Sequence, residues 1–212
     1  MIKKLILFLA VALSAYPAES AYAKAIDERI YIAPAGPVDA SVLKKIKSSL
    51  PDILPMAVSV ELAPEEKMPP EAYNAARGQY DASVLLEAVA KRNNLATTRE
   101  SMIVVTDSDL YYADVAHVFG LSNPKAKICV ISLARPAGGK VKSGSLYQRA
   151  LRSAATELGY VLGLKDCPDV KCVMHLSKNP EDEDSKKVYF CHDCKKRLRS
   201  RYSSALITIP QF

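Results

Sequence analysis

The sequence predicts an α/β fold completed by a small C-terminal subdomain that cysteines, rather than a core of its own, hold together. Three observations carry this. Strand-like and helix-like apolar patterns alternate along the first two thirds of the chain. The strongest amphipathic helix then runs from about Leu146 to Leu162. Four of the five cysteines follow it, in a segment without clear periodicity.

The elements read in order. Arg29-Ile-Tyr-Ile-Ala-Pro34 alternates as a strand and ends in the turn cluster Pro34-Ala-Gly-Pro37. Asp39 is placed to cap a helix in which Val42, Leu43, Ile46 and Leu50 recur at helical spacing. Met56 to Leu62 reads as a second strand and Pro64 to Pro70 as a loop. Asp81 opens a helix with Leu85, Leu86, Val89 and Ala90 on one face. Ser101 to Thr106 is rich in β-branched residues and suits a buried strand. His117-Val-Phe-Gly120 and Ile128-Cys-Val-Ile-Ser-Leu133 supply two more strands, and Arg135 to Ser145 is a Pro/Gly/Lys loop. In the long helix Ala150, Leu151, Ala154, Leu158, Val161 and Leu162 form the apolar stripe, and Gly163 stops it.

The first 23 residues are set apart. Lys3 and Lys4 precede an apolar run from Leu5 to Leu13, and Ala21-Tyr-Ala23 gives the small-x-small pattern of a signal peptidase site. The run is too short to cross a bilayer comfortably, and no cysteine lies at the cut to carry a lipid, so no stable membrane anchor is expected. The signal resembles bacterial ones and predicts a secreted or periplasmic protein. The organisation is therefore a signal peptide over residues 1–23, an α/β subdomain over 24–163, and a four-cysteine subdomain with a basic tail over 164–212.

Composition excludes several classes. With 49% hydrophobic and 25% charged residues and only 8 glycines, the chain is neither disordered nor fibrous. The net charge of +6 is dispersed; its densest run, Lys195-Lys-Arg197 with Arg199 and Arg201, reads as a solvated helix face, so no nucleic-acid partner is expected.

Cys167, Cys172, Cys191 and Cys194 form two short pairs joined by an eighteen-residue spacer. Zinc needs four ligands, with sulfurs about 2.3 Å away, and two knuckles on a longer loop deliver them. Two disulfides are the competing reading for a secreted chain. Cys129, inside an apolar run, is expected to be a buried thiol.

Thr156-Glu-Leu-Gly-Tyr160-Val-Leu-Gly163-Leu-Lys-Asp166-Cys167 resembles the extended metzincin motif H-E-x-x-H-x-x-G-x-x-H as archaemetzincins carry it, with Cys directly after the last His. Cys172-Val-Met174 and Cys191-His-Asp-Cys194 resemble that family's following C-x-M and C-x-x-C elements. Ile30 to Pro37, Arg77-Gly-Gln-Tyr80 and Asp109-Leu-Tyr111 look like archaemetzincin segments too, so the resemblance runs from about Arg29 to Leu198. It implies a metzincin-like fold, with a twisted mixed sheet, an active-site-type helix and a four-cysteine structural zinc. It also implies Met174 at the Met-turn beneath the cleft and Glu157 at the general-base position.

The chain departs from the family at the three catalytic-metal positions, which are Thr156, Tyr160 and Asp166. Threonine is a weak neutral ligand, tyrosine must lose a proton with a reference pKa near 10, and one carboxylate does not hold zinc against water. Glu157 therefore lacks the metal that would make its water acidic. The expected cofactor is one structural zinc ion without a catalytic one. Three functions follow from these residues: an inactive metallopeptidase homologue binding a peptide or protein in its cleft, an active zinc metallopeptidase with non-standard ligands, or a scaffold working through the four-cysteine subdomain and basic tail.

Overall fold

In a computed structural model of the chain, residues 26–134, 143–176 and 185–205 are described. The expected signal segment, the expected loop from Arg135 and the last residues of the chain lie outside them.

The elements are β1 (Glu28–Pro34), α1 (Ala40–Ile53), β2 (Val58–Leu62), β3 (Tyr73–Asn74), β4 (Gln79–Asp81), α2 (Ala82–Arg92), β5 (Glu100–Thr106), β6 (Leu110–Tyr112), β7 (Val115–Val118), β8 (Gly120–Asn123), β9 (Ile128–Ser132), α3 (Ser143–Val161) and α4 (His192–Ala205). The main sheet has the order β2-β1-β5-β9-β8. Its first four strands are parallel and β8 runs antiparallel at one edge. A parallel sheet must be covered on both faces, because its crossovers place helices there. The strands show it: in β5, Ile103 and Val105 enter the core beneath α1 and α3, while Met102 and Val104 enter the core beneath α2. The β9 strand repeats this with Cys129 and Ile131 against Ile128 and Val130.

The helix starts follow side-chain chemistry. The Asp39 carboxylate accepts from Ser41 N at 2.7 Å, and that of Asp81 from Ser83 N at 2.8 Å, each satisfying an amide that the first helical turn leaves without a partner. Gly163 ends α3 with φ +88°, a conformation that side chains disfavour.

Two expectations change. The segment His117 to Gly120 is not one strand: β7 ends at Val118, and Gly120 starts β8 in the other sheet. The break falls where the chain crosses beneath α3, and a Cβ on Gly120 would lie 2.6 Å from Glu157 Cγ and 2.9 Å from the Val130 carbonyl oxygen. The sequence also gives no notice of the small sheet β3-β4-β6-β7, whose strands are two to four residues long. That sheet is tied together by the buried amide of Gln79, which donates to Asp109 Oδ2 at 3.0 Å and to the Ala116 carbonyl at 2.8 Å.

The C-terminal segment shares the main core. Val173, Met174, Phe190, Cys194 and Leu198 bury their side chains in the same cluster as the α3 stripe.

Candidate metal centre and adjoining cleft

After Gly163 the chain loops over the end of α3 and returns, so that Cys167 and Cys172 meet Cys191 and Cys194 at the start of α4. Short backbone bonds set the loop: Cys172 N to the Asp169 carbonyl at 3.0 Å, Cys167 N to that of Met174 at 2.9 Å, and Val173 N to that of Tyr189 at 3.1 Å. The four sulfurs lie within 4.8 Å of one another. Cys167 Sγ is 3.7 Å from Cys191 Sγ, and Cys172 Sγ is 3.8 Å from Cys194 Sγ. A tetrahedron with zinc–sulfur bonds of about 2.3 Å has edges of about 3.8 Å, so the donor set fits that ion. The separations are nearly twice a sulfur–sulfur bond of about 2.05 Å, and the cysteines are free thiols.

Burial pushes the Cys172 thiol up to about 11 and that of Cys194 higher still. At Cys191 burial also works upward, but bonds from the Cys194 amide and from the neighbouring thiols outweigh it, and the thiol falls below its ordinary value. Three buried cysteines and the half-buried Cys191, held together as thiolates, need a cation to offset their charge, as a zinc ion would. Cys129 is fully buried on β9, away from the cluster, and burial and the nearby Glu157 both push its thiol well up.

The second feature is a cleft of about 330 Å³ between α3, the β7–β8 crossing and the turn at residues 172–176. Thr156, Glu157 and Tyr160 all line it, as their spacing on one helix face requires. At the three positions expected from the resemblance, each side chain is engaged with a protein partner. Thr156 Oγ1 donates to the Val173 carbonyl at 2.9 Å, and the Tyr160 hydroxyl donates to Asp166 Oδ1 at 2.5 Å. Among the described residues, the four cysteines are the only group of three or more His, Cys, Asp and Glu side chains close enough to share one ion. His117 is exposed on β7 and packs edge-on against Phe119, His192 is exposed on α4, and His175 lines the cleft with Nδ1 donating to the Cys167 carbonyl at 2.9 Å.

Met174 is fully buried beneath α3, where Gly159 makes room for it. A Cβ on Gly159 would stand 2.4 Å from Met174 Sδ and 3.2 Å from Phe190 Cε1. Gly159→Ala gains up to about 1 kcal/mol of helix propensity, and overpacking against two buried side chains costs more. The expected net loss is about 1–2 kcal/mol in chemical denaturation.

Lys186 is the residue that sequence reading misses. It follows the acidic run Glu181-Asp-Glu-Asp184 and reads as a solvated charge. In the structure it is only 5% exposed, lines the cleft, and donates to the carbonyls of Val173 at 3.3 Å and His175 at 3.1 Å. No spacing in the sequence signals this, because its acceptors are backbone carbonyls.

Comparison with known proteins places this architecture. The model of peptidase family M54 matches residues 35–200. The archaemetzincin of Methanocaldococcus jannaschii is 34% identical over 177 residues, covering 82% of this chain and 94% of that one. Among solved structures, the malonate-complexed archaemetzincin of Archaeoglobus fulgidus superposes with a TM-score of 0.67 at 30% identity, over 80% of this chain and 99% of that one. A zinc-dependent peptidase from Methanocorpusculum labreanum gives 0.71 at 26% identity, over 80% and 99% of the two chains. The chain therefore belongs to the archaemetzincin family of zinc metallopeptidases.

Proposed function

We propose that this chain is an exported, catalytically inactive archaemetzincin that carries one structural zinc at Cys167, Cys172, Cys191 and Cys194 and binds an extended peptide in its cleft without cutting it. The observation that carries the reading is the Tyr160–Asp166 hydrogen bond. Two of the three positions that would hold a catalytic ion are instead bonded to each other at 2.5 Å. The third, Thr156, spends its hydroxyl proton on a backbone carbonyl.

Glu157 then has no metal-bound water to deprotonate. Zinc lowers the pKa of bound water from about 15.7 to about 7, and that difference is on the order of 12 kcal/mol.

The cleft retains what peptide binding needs. The β8 strand forms one edge of the main sheet among the described residues, and Gly120 at its start lines the cleft. An extended peptide added to that edge gains main-chain hydrogen bonds. Val115, Val118, Phe119 and Leu176 offer its side chains apolar surface.

Native mass spectrometry of the exported protein tests the reading. The expected species begins at Lys24 and carries one zinc per chain, with no chelator-sensitive peptidase activity. Two zinc ions per chain, or hydrolysis that disappears on Glu157→Gln, would sink it.

A further inference from the structure

The turn from Cys172 to His175 faces two ways. One side supplies a sulfur to the cysteine cluster, and the other places His175 on the cleft and offers the Val173 and His175 carbonyls to Lys186, which also lines it. We infer that this turn couples the two sites, so that zinc at the cysteines sets the shape of the cleft, with Lys186 as the positioning residue that clamps the turn. The inference rests on the proposed zinc at the cysteines and adds to the peptide-binding reading a means of control.

The connections are direct. On the metal side, Cys172 Sγ lies 3.8 Å from Cys194 Sγ and accepts from Cys191 N at 3.3 Å. Cys167 enters the same turn twice, through its amide to the Met174 carbonyl at 2.9 Å and through its carbonyl to His175 Nδ1 at 2.9 Å. On the cleft side, the Lys186 ammonium bridges the carbonyls of Val173 and His175, one on either side of Met174. Thr156 on α3 adds a second donor to the Val173 carbonyl.

The turn has no slack to decouple these sides. Met174 is fully buried, and its sulfur fills the space that a side chain on Gly159 would take. A packed segment of this kind moves as a unit rather than deforming at one end. Cys167 and Cys172 thus cannot separate after metal loss without shifting the carbonyls that Lys186 and Thr156 hold. Loosening the turn from the cleft side lowers the population of the zinc-competent arrangement and so is expected to weaken zinc.

The test reads zinc affinity by competition with a chromophoric chelator, in full-length mature protein whose four cysteines are intact. Lys186→Met keeps an apolar stem and removes the ammonium; it should weaken zinc about 10-fold or more, as loss of groups that orient metal ligands commonly does. Thr156→Val should weaken it about 3-fold or more, whereas Thr156→Ser, which keeps the hydroxyl, should restore wild-type affinity. The control Glu61→Gln, at an exposed position on β2, should change nothing. In the unmutated protein, chelation should raise hydrogen exchange in residues 153–160 as well as near the cysteines. Wild-type zinc affinity in folded Thr156→Val, or unchanged exchange in 153–160 after chelation, would overturn the coupling even if Lys186→Met fails to fold. A second bound zinc would instead refute the proposed function, because the coupling is read at the cysteine site alone.

Discussion

Replacing Cys194 with serine is expected to remove zinc from the protein and to cost on the order of 5 kcal/mol or more, since structural zinc sites contribute their binding energy to folding. A serine hydroxyl keeps the volume and loses the thiolate, so packing changes little while the ligand set drops to three. The loss will not stay local. Cys194 and Leu198 are fully buried on α4 in the core that α3 also enters. Arg201 on α4 donates to the Gly163 carbonyl at 2.9 Å, and the Tyr202 hydroxyl to Glu28 Oε2 at 3.2 Å. The helix therefore ties the cysteine cluster to the end of α3 and to the start of β1. Thermal unfolding should move down by about 10–20 °C for a change of that size in a chain of this length. Acid should mimic the substitution. Zinc binds thiolates, and burial already favours the protonated form at Cys172 and Cys194. Protons thus compete with the ion, and zinc release should advance as pH falls. An unchanged melting temperature and zinc content in Cys194→Ser would rule out the cluster as a metal centre.

Much of this arrangement is legible in the sequence, and the parts that are not share a cause. Long periodic segments read correctly: Asp39 and Asp81 cap the helices they precede, and the α3 stripe from Ala150 to Leu162 is buried as its spacing requires. The β5 run is buried on both faces, as a β-branched run without polar alternation predicts. The four cysteines converge as two knuckles. Illegible were features fixed by partners distant in the chain. The small sheet has strands too short for a period, and Gln79, on which it hangs, acts through a backbone carbonyl 37 residues away. The break at Phe119 depends on Glu157 lying across Gly120. Lys186 is charged and stands among charges in the sequence, and only the fold shows that it is buried. The Thr156, Tyr160 and Asp166 positions were visible as wrong residue types for zinc. That they find partners in the Val173 carbonyl and in each other was not.

Restoring the three ligands should produce a second metal site. In Thr156→His, Tyr160→His, Asp166→His together, the first two imidazoles stand one turn apart on α3, and both positions already line the cleft. The third position is already within reach, because the Asp166 carboxylate contacts the Tyr160 side chain. Three imidazoles and one open position are the donor set of a catalytic zinc. The substitutions also remove the Tyr160–Asp166 bond and the Thr156 hydroxyl bond, so the turn at Val173 loses one of its two side-chain donors. Some weakening of the cysteine zinc is therefore expected alongside the gain, and the two ions should differ in chelator resistance. The expected result is two zinc ions per chain and the appearance of chelator-sensitive peptide hydrolysis, which the parent is expected to lack. Adding Glu157→Gln should then cut hydrolysis by about 100-fold or more while leaving two zinc ions bound, because a general base acts on the water and does not hold the ion. If the triple variant binds its second zinc and Glu157→Gln leaves hydrolysis intact, Glu157 is not the retained base. If it folds and binds only one zinc, the cleft has been remodelled beyond the loss of three side chains, and the clamp of Lys186 across the turn is the first place to look for the cause.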